Sequence, residues 1–314
     1  MRHSMKQDFK IMVLNAQDLF IFLDKYQGEN PRELTEIKWQ LSSSSLLNNK
    51  AKDKCELLAM AIKEADADLV MLTEVGGLES LTNFSSIFLD NRYFPMTLPS
   101  NSDRGIDLGF LTKNENNYTY ELMTHTKHRL PHPYQRFSRD VLGLKLFEDE
   151  KLKAIFLNVH IKSKLNLNNT DFQGRGRRIA EVNGLIEIYK KLSLENVPVF
   201  IGGDFNGHAG PDACEEEFKA IYETDLMDIS TFAEIPQNER FSYIYFNKGG
   251  QRFEQVIDYL FVSEKYKSLI KKEECYFPRY KNQEGSLIPI PTRYEHKNFL
   301  PSDHYPFLVT LNSF

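Results

Sequence analysis

Cysteine is scarce in this sequence of 314 residues, and long apolar runs are lacking. Its three cysteines, Cys55, Cys214 and Cys275, are odd in number and widely separated. They fit neither a disulfide framework nor a cysteine-rich zinc site. No apolar run approaches the roughly 20 residues of a membrane-spanning helix, and the first ten residues have no apolar stretch of the secretory type. We therefore expect reduced thiols, no transmembrane segment and a cytoplasmic location, or secretion if a signal peptide has been removed.

An excess of basic residues is also missing. The net charge is -5, with 39 Lys and Arg against 44 Asp and Glu, so bulk electrostatics does not draw this chain to nucleic acid. A nuclease is still compatible with this charge, because carboxylates around a metal are counted here without the cation that offsets them. The content of 41% hydrophobic and 26% charged residues is typical of a globular protein with a sizeable core.

Short apolar segments of strand length recur along the chain, together with a few amphipathic helical segments. Strands such as Leu69–Leu72 are apolar on both faces and belong in the middle of a layered structure. Others, such as Ile257–Phe261, alternate apolar and polar residues, so that one face of the strand can carry functional polar side chains. Two packed sheets with helices outside them satisfy both patterns. The predicted strands are Ile11–Asn15, Leu69–Thr73, Ile106–Leu111, Val141–Phe147, Lys153–Val159, Val197–Gly202, Val256–Val262 and Phe307–Leu311, and the predicted helices are Ala51–Ala65 and Arg178–Leu192.

Polar residues at or near the ends of apolar strands are the most informative feature of the sequence. A single one is explained by a cap or a turn. Burying an unpaired charge is costly, however, and a sheet brings the ends of its strands together, so a repeated pattern predicts one functional site. The residues are Asn15, Glu74, His160, the pair Asp204 and Asn206, Asp258, and the pair Asp303 and His304.

These residue types suit hydrolysis of a phosphate ester. Phosphoryl transfer needs neutralisation of charge on the phosphate oxygens, an oriented water and help for the leaving oxygen. Glu74, Asp303 and the amide oxygen of Asn15 are hard ligands for Mg²⁺, and equally for Mn²⁺ or Ca²⁺. A histidine can take or give a proton near neutral pH. Asp258 is suited to hold the ring of His304 and favour its protonated form.

Seven segments carry these residues in order: Val13–Phe20, Ala67–Val75, Arg104–Gly109, Asn158–Lys164, Gly203–Asn206, Ile257–Tyr259 and Ser302–Pro306. They resemble the motifs of the endonuclease/exonuclease/phosphatase superfamily, which includes pancreatic-type deoxyribonucleases, abasic-site endonucleases, inositol-polyphosphate phosphatases and bacterial sphingomyelinases. The resemblance covers residues 11–311. It implies a single α/β domain over residues 1–314, built as a four-layer α-β-β-α sandwich in which two central, mostly antiparallel sheets are flanked by helices.

The resemblance also implies roles for the residues of the predicted site. The implied metal ligands are Asn15, Glu74 and Asp303. The implied catalytic residues are His160, Asp204, Asn206, Asp258 and His304. Asp204 and Asn206 correspond to the pair that positions the attacking water or stabilises developing charge, and His160 and His304 resemble the histidines that contact the scissile phosphate. Asp204 and His304 are both eligible as the general base. Our interpretation favours His304 held by Asp258, with His160 as phosphate ligand or acid.

A second group of residues is predicted to bind substrate. Arg104 resembles the arginine that many bacterial members of the superfamily carry beside the phosphate. Lys162 and Lys164 occupy alternate positions and can both face a phosphate backbone, and Arg175 opens a helix, where anions are stabilised. A solvated surface position is the alternative for each of these residues. The predicted substrate-binding residues are Arg104, Arg139, Lys162, Lys164 and Arg175.

The substrate expected from these motifs is nucleic acid. The continuation His-Ile-Lys-Ser-Lys from His160 resembles the form of bacterial nuclease-like members, so we expect a monomeric metal-dependent phosphodiesterase acting on DNA or RNA. A phosphatase or phospholipid phosphodiesterase, of the inositol-phosphate or sphingomyelin type, is the alternative. The irregular segment Leu269–Leu300, a candidate substrate-facing loop, carries Tyr276, Phe277, Tyr280, Leu287 and Ile288, which can form a lipid-facing hairpin. A non-catalytic binding module is a second alternative, disfavoured because every residue of the predicted site is present.

Overall fold

A computed structural model of the protein describes residues 8–28, 30–164 and 171–313. The prediction that the first ten residues carry no secretory signal falls largely on residues 1–7, which lie outside the described residues. Within the described ranges, no helix combines the length and the apolar character needed to cross a membrane. The α-helices of the described residues are α1 (Glu36–Leu41), α2 (Lys52–Ala65), α3 (Gly77–Phe88), α4 (Arg175–Leu192) and α5 (Ile229–Phe232).

The strands of the described residues form two large sheets and one hairpin. In chain order they are β1 (Phe9–Leu19), β2 (Leu69–Val75), β3 (Tyr93–Met96), β4 (Asp107–Lys113), β5 (Thr119–Met123), β6 (Val141–Glu148), β7 (Lys151–His160), β8 (Val199–Asp204), β9 (Leu226–Asp228), β10 (Tyr243–Phe246), β11 (Arg252–Gln255), β12 (Asp258–Ser263) and β13 (Phe307–Leu311).

The first sheet has the strand order β13-β1-β2-β4-β3, and the second has the order β5-β6-β7-β8-β12-β9. The parallel pairs are β1 with β2 and β7 with β8, and all other neighbours in the two sheets are antiparallel. Strands β10 and β11 form the separate antiparallel hairpin. Both sheets are therefore mostly antiparallel, as the sequence predicts.

Strand β1 is apolar on both faces because it separates two cores. Ile11 and Val13 pack against Phe156 of β7 in the core between the two sheets. Met12 and Leu14 point to the opposite face and belong to a second core, which includes buried residues of α2 and α3. The two-residue period of the strand thus places alternate side chains in different layers.

The outer face of the second sheet is covered by α4. Leu157 and Val159 of β7 share a third core with Val182, Leu185 and Tyr189 of α4. The layers therefore run from α2 and α3, through the two sheets, to α4. This arrangement confirms the expected four-layer sandwich.

Each of the eight predicted strands and both predicted helices are present in the structure. Strand β1 continues to Leu19, beyond the predicted end at Asn15, and α4 begins at Arg175 rather than Arg178. The strands β3, β5, β9, β10 and β11 and the helices α1, α3 and α5 were not predicted. Most of these strands are short and partly exposed, and α3 has no side chain that caps its first turn, so their sequence signals are weak.

Asn158 of β7 connects the two sheets. Its side-chain amide donates hydrogen bonds to the backbone oxygens of Leu72, at 2.8 Å, and Gly109, at 3.0 Å, which lie opposite each other in the pair β2–β4. Asn158 is completely buried, so replacing it leaves two buried acceptors without their donor and a small cavity. We expect Asn158→Ala to lower the free energy of unfolding by about 2 to 4 kcal/mol, measured by denaturant unfolding.

The matched control for this prediction is Asn114→Ala. Asn114 also donates its side-chain amide to a backbone oxygen, that of Asn91, but on the exposed surface. Its loss should change the free energy of unfolding by less than about 1 kcal/mol. Equal losses in the two variants would show that the hydrogen bonds between the sheets contribute nothing beyond those of a surface amide.

Candidate active site

Three strands of the second sheet place polar side chains in one row. His160 of β7 lies opposite Asp204 of β8, and Asp204 lies opposite Asp258 of β12. Gly203 permits this register: its φ is +132°, and a Cβ added there would collide with the backbone oxygen of Val159. Residues in register on neighbouring strands share a face of the sheet. The pairing therefore brings together three residues that are far apart in the sequence.

A bulge in the first sheet directs Glu74 toward the same place. The register of β2 with β4 shifts between Thr73 and Val75, and Glu74 has a φ of +59°, which is uncommon for a residue other than glycine. Bulges beside active sites often re-aim one side chain. Here the side chain of Glu74 comes to lie with its Oε1 3.7 Å from Nε2 of His160 on the second sheet.

Asn15 fixes the position of Asp204 rather than presenting its oxygen to solvent. Its amide donates to Oδ2 of Asp204 at 2.9 Å, and its Oδ1 accepts the backbone amide of Gln17 at 2.8 Å. Oδ1 keeps a second lone pair beside this hydrogen bond, so the assignment of Asn15 as a metal ligand stays a prediction.

Asp204 lies at the centre of the site. Its Oδ2 is 3.6 Å from Nε2 of His160 and 4.0 Å from Nε2 of His304, and its Oδ1 accepts the backbone amide of Asn206 at 2.7 Å. The side-chain amide of Asn206 donates to a backbone oxygen. Burial, together with the nearby charge of Asp258, raises the pKa of Asp204 to about 7. A carboxyl group with this pKa can exchange a proton near neutral pH.

The two histidines of the site have opposite electrostatic surroundings. Nδ1 of His304 lies 2.7 Å from Oδ2 of Asp258. Burial alone would lower the pKa of His304, but the charge of Asp258 and this hydrogen bond hold it well above its ordinary value. For His160, burial and then the nearby charge of Arg139 hold the pKa well below its ordinary value. The site therefore pairs a charged imidazole with a neutral one.

Asp303 is paired with Lys297, which comes from the irregular segment before it. Its Oδ2 lies 3.0 Å from Nζ of Lys297, and its Oδ1 lies 3.8 Å from Nε2 of His304. Burial alone would raise the pKa of Asp303, but the charges of His304 and Lys297 hold it below its usual value. The Lys297 ammonium also lies 3.9 Å from the ring centre of Tyr243, whose ring is 5.0 Å from that of His304. Lys297 and Tyr243 thus form one wall of the site.

The donor set around Glu74 fits a hard divalent cation. Ligand atoms of Glu74, His160 and Asp204 all lie within 4.8 Å of one another. The backbone amide of Asp18 donates to Oε2 of Glu74 at 3.3 Å. Burial and the charge of Asp18 raise the pKa of Glu74, and Asp303 adds to this effect. Carboxylates that repel one another in a buried site are the oxygen-rich surroundings that Mg²⁺, Mn²⁺ and Ca²⁺ prefer.

Three of the predicted substrate-binding residues lie close to this centre. Arg139 is buried, and in the described part of the chain it has no ion pair and one long hydrogen bond of 3.4 Å, to Oγ of Ser138. Burial lowers the pKa of Arg139, and the charges of Glu181, Glu74 and Asp204 act on it, so its guanidinium lies near these carboxylates. Arg104 is exposed, with Nη2 3.8 Å from Oδ1 of Asp18. Burial and the charge of Arg139 lower the pKa of Lys162.

Lys164 and Arg175 are not brought to the centre. Nζ of Lys164 lies 2.5 Å from Oε1 of Glu215, and Nη2 of Arg175 lies 2.5 Å from Oε2 of Glu216. These glutamates lie in or beside the 3-10 segment Glu216–Glu223, which packs against α4. A phosphate would have to compete with both carboxylates for these cations. Their assignment as substrate ligands stays a prediction.

The segment Leu269–Leu300 is partly packed against the protein and partly exposed. The guanidinium of Arg279 lies 3.6 Å from the ring centre of Phe241, and Phe277 and Tyr280 are buried. These two aromatic residues are therefore not available to the lipid-facing hairpin that the sequence offers as an alternative, although Tyr276 is 48% exposed. The segment contacts the centre through Lys297.

Lys50 and Gln17 belong to the surroundings of the site but were not predicted. Nζ of Lys50 donates to the backbone oxygen of Gln17 at 2.8 Å, and the side-chain oxygen of Gln17 accepts the backbone amide of Asp303 at 2.9 Å. Burial lowers the pKa of Lys50 to about 8. Gln17 lies inside the first motif and could have been singled out for that reason. Lys50 follows a polar loop and has no motif around it.

No family model matches the sequence, and no curated protein matches it. Solved structures match the fold over nearly the whole chain. An endonuclease/exonuclease/phosphatase from Bacteroides vulgatus is 16% identical with a TM-score of 0.61, and the match covers 98% of this chain and 100% of that one. TDP2 from D. rerio, complexed with a single-strand DNA product, is 12% identical with a TM-score of 0.60 and coverages of 98% and 99%. The human Nocturnin catalytic domain with bound sulfate is 13% identical, with a TM-score of 0.58 and coverages of 97% and 93%.

Proposed function

From the premise that this chain has the endonuclease/exonuclease/phosphatase fold, we propose that it is a divalent-metal-dependent phosphodiesterase that hydrolyses phosphate esters by attack of water. One observation carries the proposal. Glu74 from the first sheet and His160, Asp204 and Asp258 from the second meet His304 in two overlapping clusters that share Asp204. Acidic and imidazole groups in this number are costly to bury together without a function.

Glu74, Asp303 and the amide oxygen of Asn15 are the residues that would hold the metal ion, and the charges of Asp303 and Asp18 act on Glu74. Such an ion would neutralise charge on the phosphate oxygens and help to orient the substrate. Asn15 keeps the carboxylate of Asp204 in position through its amide, and Gln17 fixes the backbone of Asp303. These two contacts support a preorganised set of oxygen ligands, because they restrain the side chains or backbone that carry the charge.

Asp204 is our assignment for the group that takes the proton from the attacking water. Its central position, and its pKa of about 7 caused by burial and by Asp258, suit a general base near neutral pH. His304, held charged by Asp258, is suited to donate a hydrogen bond to a phosphate oxygen or to protonate the leaving oxygen. Asp204 and His304 are both eligible as the base from the sequence, which favours His304; the central position of Asp204 supports our choice here. His160, whose surroundings favour the neutral form, is assigned as a phosphate ligand.

Nucleic acid is the substrate class that we propose. Arg139, Arg104 and Lys162 border the acidic centre, and cations around such a centre attract a phosphate backbone. The D. rerio TDP2 structure with the same fold holds a single-strand DNA product, which supports this class for the present chain. A membrane lipid stays the alternative, because Tyr276 and Leu287 of the segment Leu269–Leu300 are exposed.

The test of this proposal is a comparison of substrates and metals. Single-stranded DNA, plasmid DNA, RNA, an inositol polyphosphate and sphingomyelin vesicles are incubated with Mg²⁺, Mn²⁺ or Ca²⁺, and with excess chelator. We expect nucleic acid to be cut in Mg²⁺ at least about 100-fold faster than in chelator, because a bound cation contributes several kcal/mol of charge stabilisation. If only the lipid or only the inositol phosphate is hydrolysed, the proposal of nucleic acid as the substrate class is wrong and the alternative substrate is assigned instead. Absence of all turnover would favour a binding module.

A further inference from the structure

A cavity of about 750 Å³ adjoins the candidate active site. Gln17 and Asp18 line it, and the same two residues contact the centre, since the Asp18 amide donates to Glu74 and the Gln17 side chain accepts the amide of Asp303. The cavity is large enough for a small organic ligand. It therefore extends the site on the side of β1, beyond the position of the scissile phosphate.

Lys50 is a buried ammonium group that has no ion pair with any described residue. Lys50 is 7% exposed and lines the cavity. Its Nζ donates to one acceptor, the backbone oxygen of Gln17, and among the described residues no carboxylate lies within ion-pair distance of it. A buried charge is costly unless it is paired. Two of the three N–H groups of Lys50 are therefore left for a ligand.

Other cations line the same cavity. Lys54 is near enough for its charge to act on Lys50, and Arg104 also lines the cavity. Two carboxylates also line the cavity: Asp18 is 3.8 Å from Arg104, and Asp103 is exposed. In the described part of the chain neither Lys50 nor Lys54 has an ion pair, although the charges of Asp18 and Asp303 act on Lys50. Three cations and two carboxylates line the cavity, and this excess of positive charge favours an anionic ligand.

The cavity also has an apolar wall. Phe20 and Leu47 line it together with the three cations. Phe20 is buried, and its ring stacks on that of Phe22 at 6.0 Å, while Leu47 is 41% exposed. A ligand that fits this lining carries both an anionic group and a body with an apolar face.

We propose that this cavity is a subsite for a second phosphate group of the substrate, joined to the scissile phosphate through a body with an apolar face. The inference rests on the proposed function, which supplies the scissile phosphate at the centre. The ammonium of Lys50 contacts the second phosphate, Arg104 and Lys54 lie around it, and Phe20 and Leu47 pack against the body between the two phosphates. The neighbouring nucleotide of a nucleic-acid strand and a further phosphate on a small polyphosphorylated molecule share this chemistry.

The test compares binding of adenosine 3′,5′-bisphosphate with binding of adenosine 5′-monophosphate. Titration calorimetry in excess chelator keeps the proposed hydrolysis stopped, so the result does not depend on turnover. We expect the bisphosphate to bind wild-type protein at least about 10-fold more tightly, since a charge-assisted hydrogen bond to a buried ammonium is strong. This advantage should be lost in Lys50→Met and reduced in Arg104→Met. Lys38→Met, which removes an exposed cation of α1 outside the cavity, should keep it.

The outcomes separate the subsite from the proposed function. Equal affinity of the wild type for the two nucleotides, or an unchanged advantage in both Lys50→Met and Arg104→Met, would overturn the subsite even if nucleic acid is cut. Loss of the advantage supports the subsite even if no tested ester is hydrolysed. The Arg104 side chain is 68% exposed, so this variant decides the matter if melting curves show that Lys50→Met is unfolded.

The same titration identifies the source of the second phosphate. A thymidine dinucleotide with and without a 5′-phosphate represents the nucleic-acid strand, and inositol 1,4-bisphosphate against inositol 1-phosphate represents the small molecule. A Lys50-dependent advantage in the first pair assigns the cavity to the neighbouring nucleotide, and an advantage confined to the second pair assigns it to a polyphosphorylated small molecule.

Discussion

Asp258→Asn is expected to lower kcat by about 10³- to 10⁴-fold while the protein stays folded, the scale known for the equivalent change in serine-protease triads. Oδ2 of Asp258 accepts the hydrogen bond from Nδ1 of His304 at 2.7 Å, and its charge keeps the imidazole protonated. An asparagine has nearly the same shape but no charge, so His304 loses the proton that it needs. The other oxygen of Asp258 has no hydrogen-bond partner among the described residues, so no second contact is broken.

A double variant and a matched control test whether Asp258 acts through His304. If Asp258 acts through His304, adding Asp258→Asn to His304→Ala should change kcat by less than about 10-fold, because residues that act as a unit are not additive. Asp228→Asn is the matched control: Asp228 is a buried aspartate of the same sheet that caps α5, so its loss should lower the melting temperature and leave kcat near the wild-type value. Full additivity of the first pair would mean that Asp258 contributes independently of the imidazole.

The sequence was sufficient to predict the layers and the centre of the site. Strands such as β2 and β8 are apolar on both faces, which places them inside a layered structure. The chemistry-bearing residues His160, Asp204 and Asp258 each lie at a strand end, and strand pairing puts them in one row. The residue types and their positions at strand ends were enough to predict that these side chains lie together, because neighbouring strands in a sheet can pair their ends in only a few ways.

The surroundings of the site could not be predicted from the sequence for two physical reasons. The aim of a side chain depends on local backbone geometry that leaves no clear sequence signal, as with the left-handed backbone of Glu74 in the β2 bulge. Whether a lysine side chain forms an ion pair depends on residues that are distant in the sequence. Lys164 and Lys50 look alike in sequence, yet one is paired with Glu215 and the other is buried in a cavity wall without a carboxylate partner.

Glu74→Gln is the second variant for which we expect a large effect. Glu74 is a partly buried carboxylate that belongs to the first sheet and to the predicted metal site, and its loss removes both a charge and an oxygen ligand of the cation. Since a bound cation contributes several kcal/mol to stabilisation of the phosphate, kcat/KM in Mg²⁺ should fall by about 10³-fold or more. The matched control is Glu79→Gln, which removes the charge of an exposed glutamate from the first turn of α3 and should leave kcat/KM within about twofold of wild type.

Thermal unfolding distinguishes loss of the metal from loss of the fold. A ligand at 100 times its Kd stabilises the native state by about 2.7 kcal/mol, which corresponds to a rise in Tm of about 4 °C for a chain of this size. Wild type and Glu79→Gln should show this rise when Mg²⁺ replaces chelator, and Glu74→Gln should not.

In chelator we expect no loss of melting temperature in Glu74→Gln relative to wild type. Burial and Asp18 raise the pKa of Glu74, so its charge opposes folding at pH 7 and the glutamine variant should melt no lower than wild type. A lower Tm of Glu74→Gln in chelator would instead mean that Glu74 stabilises the fold without a metal, and its effect on activity would then say nothing about a cation.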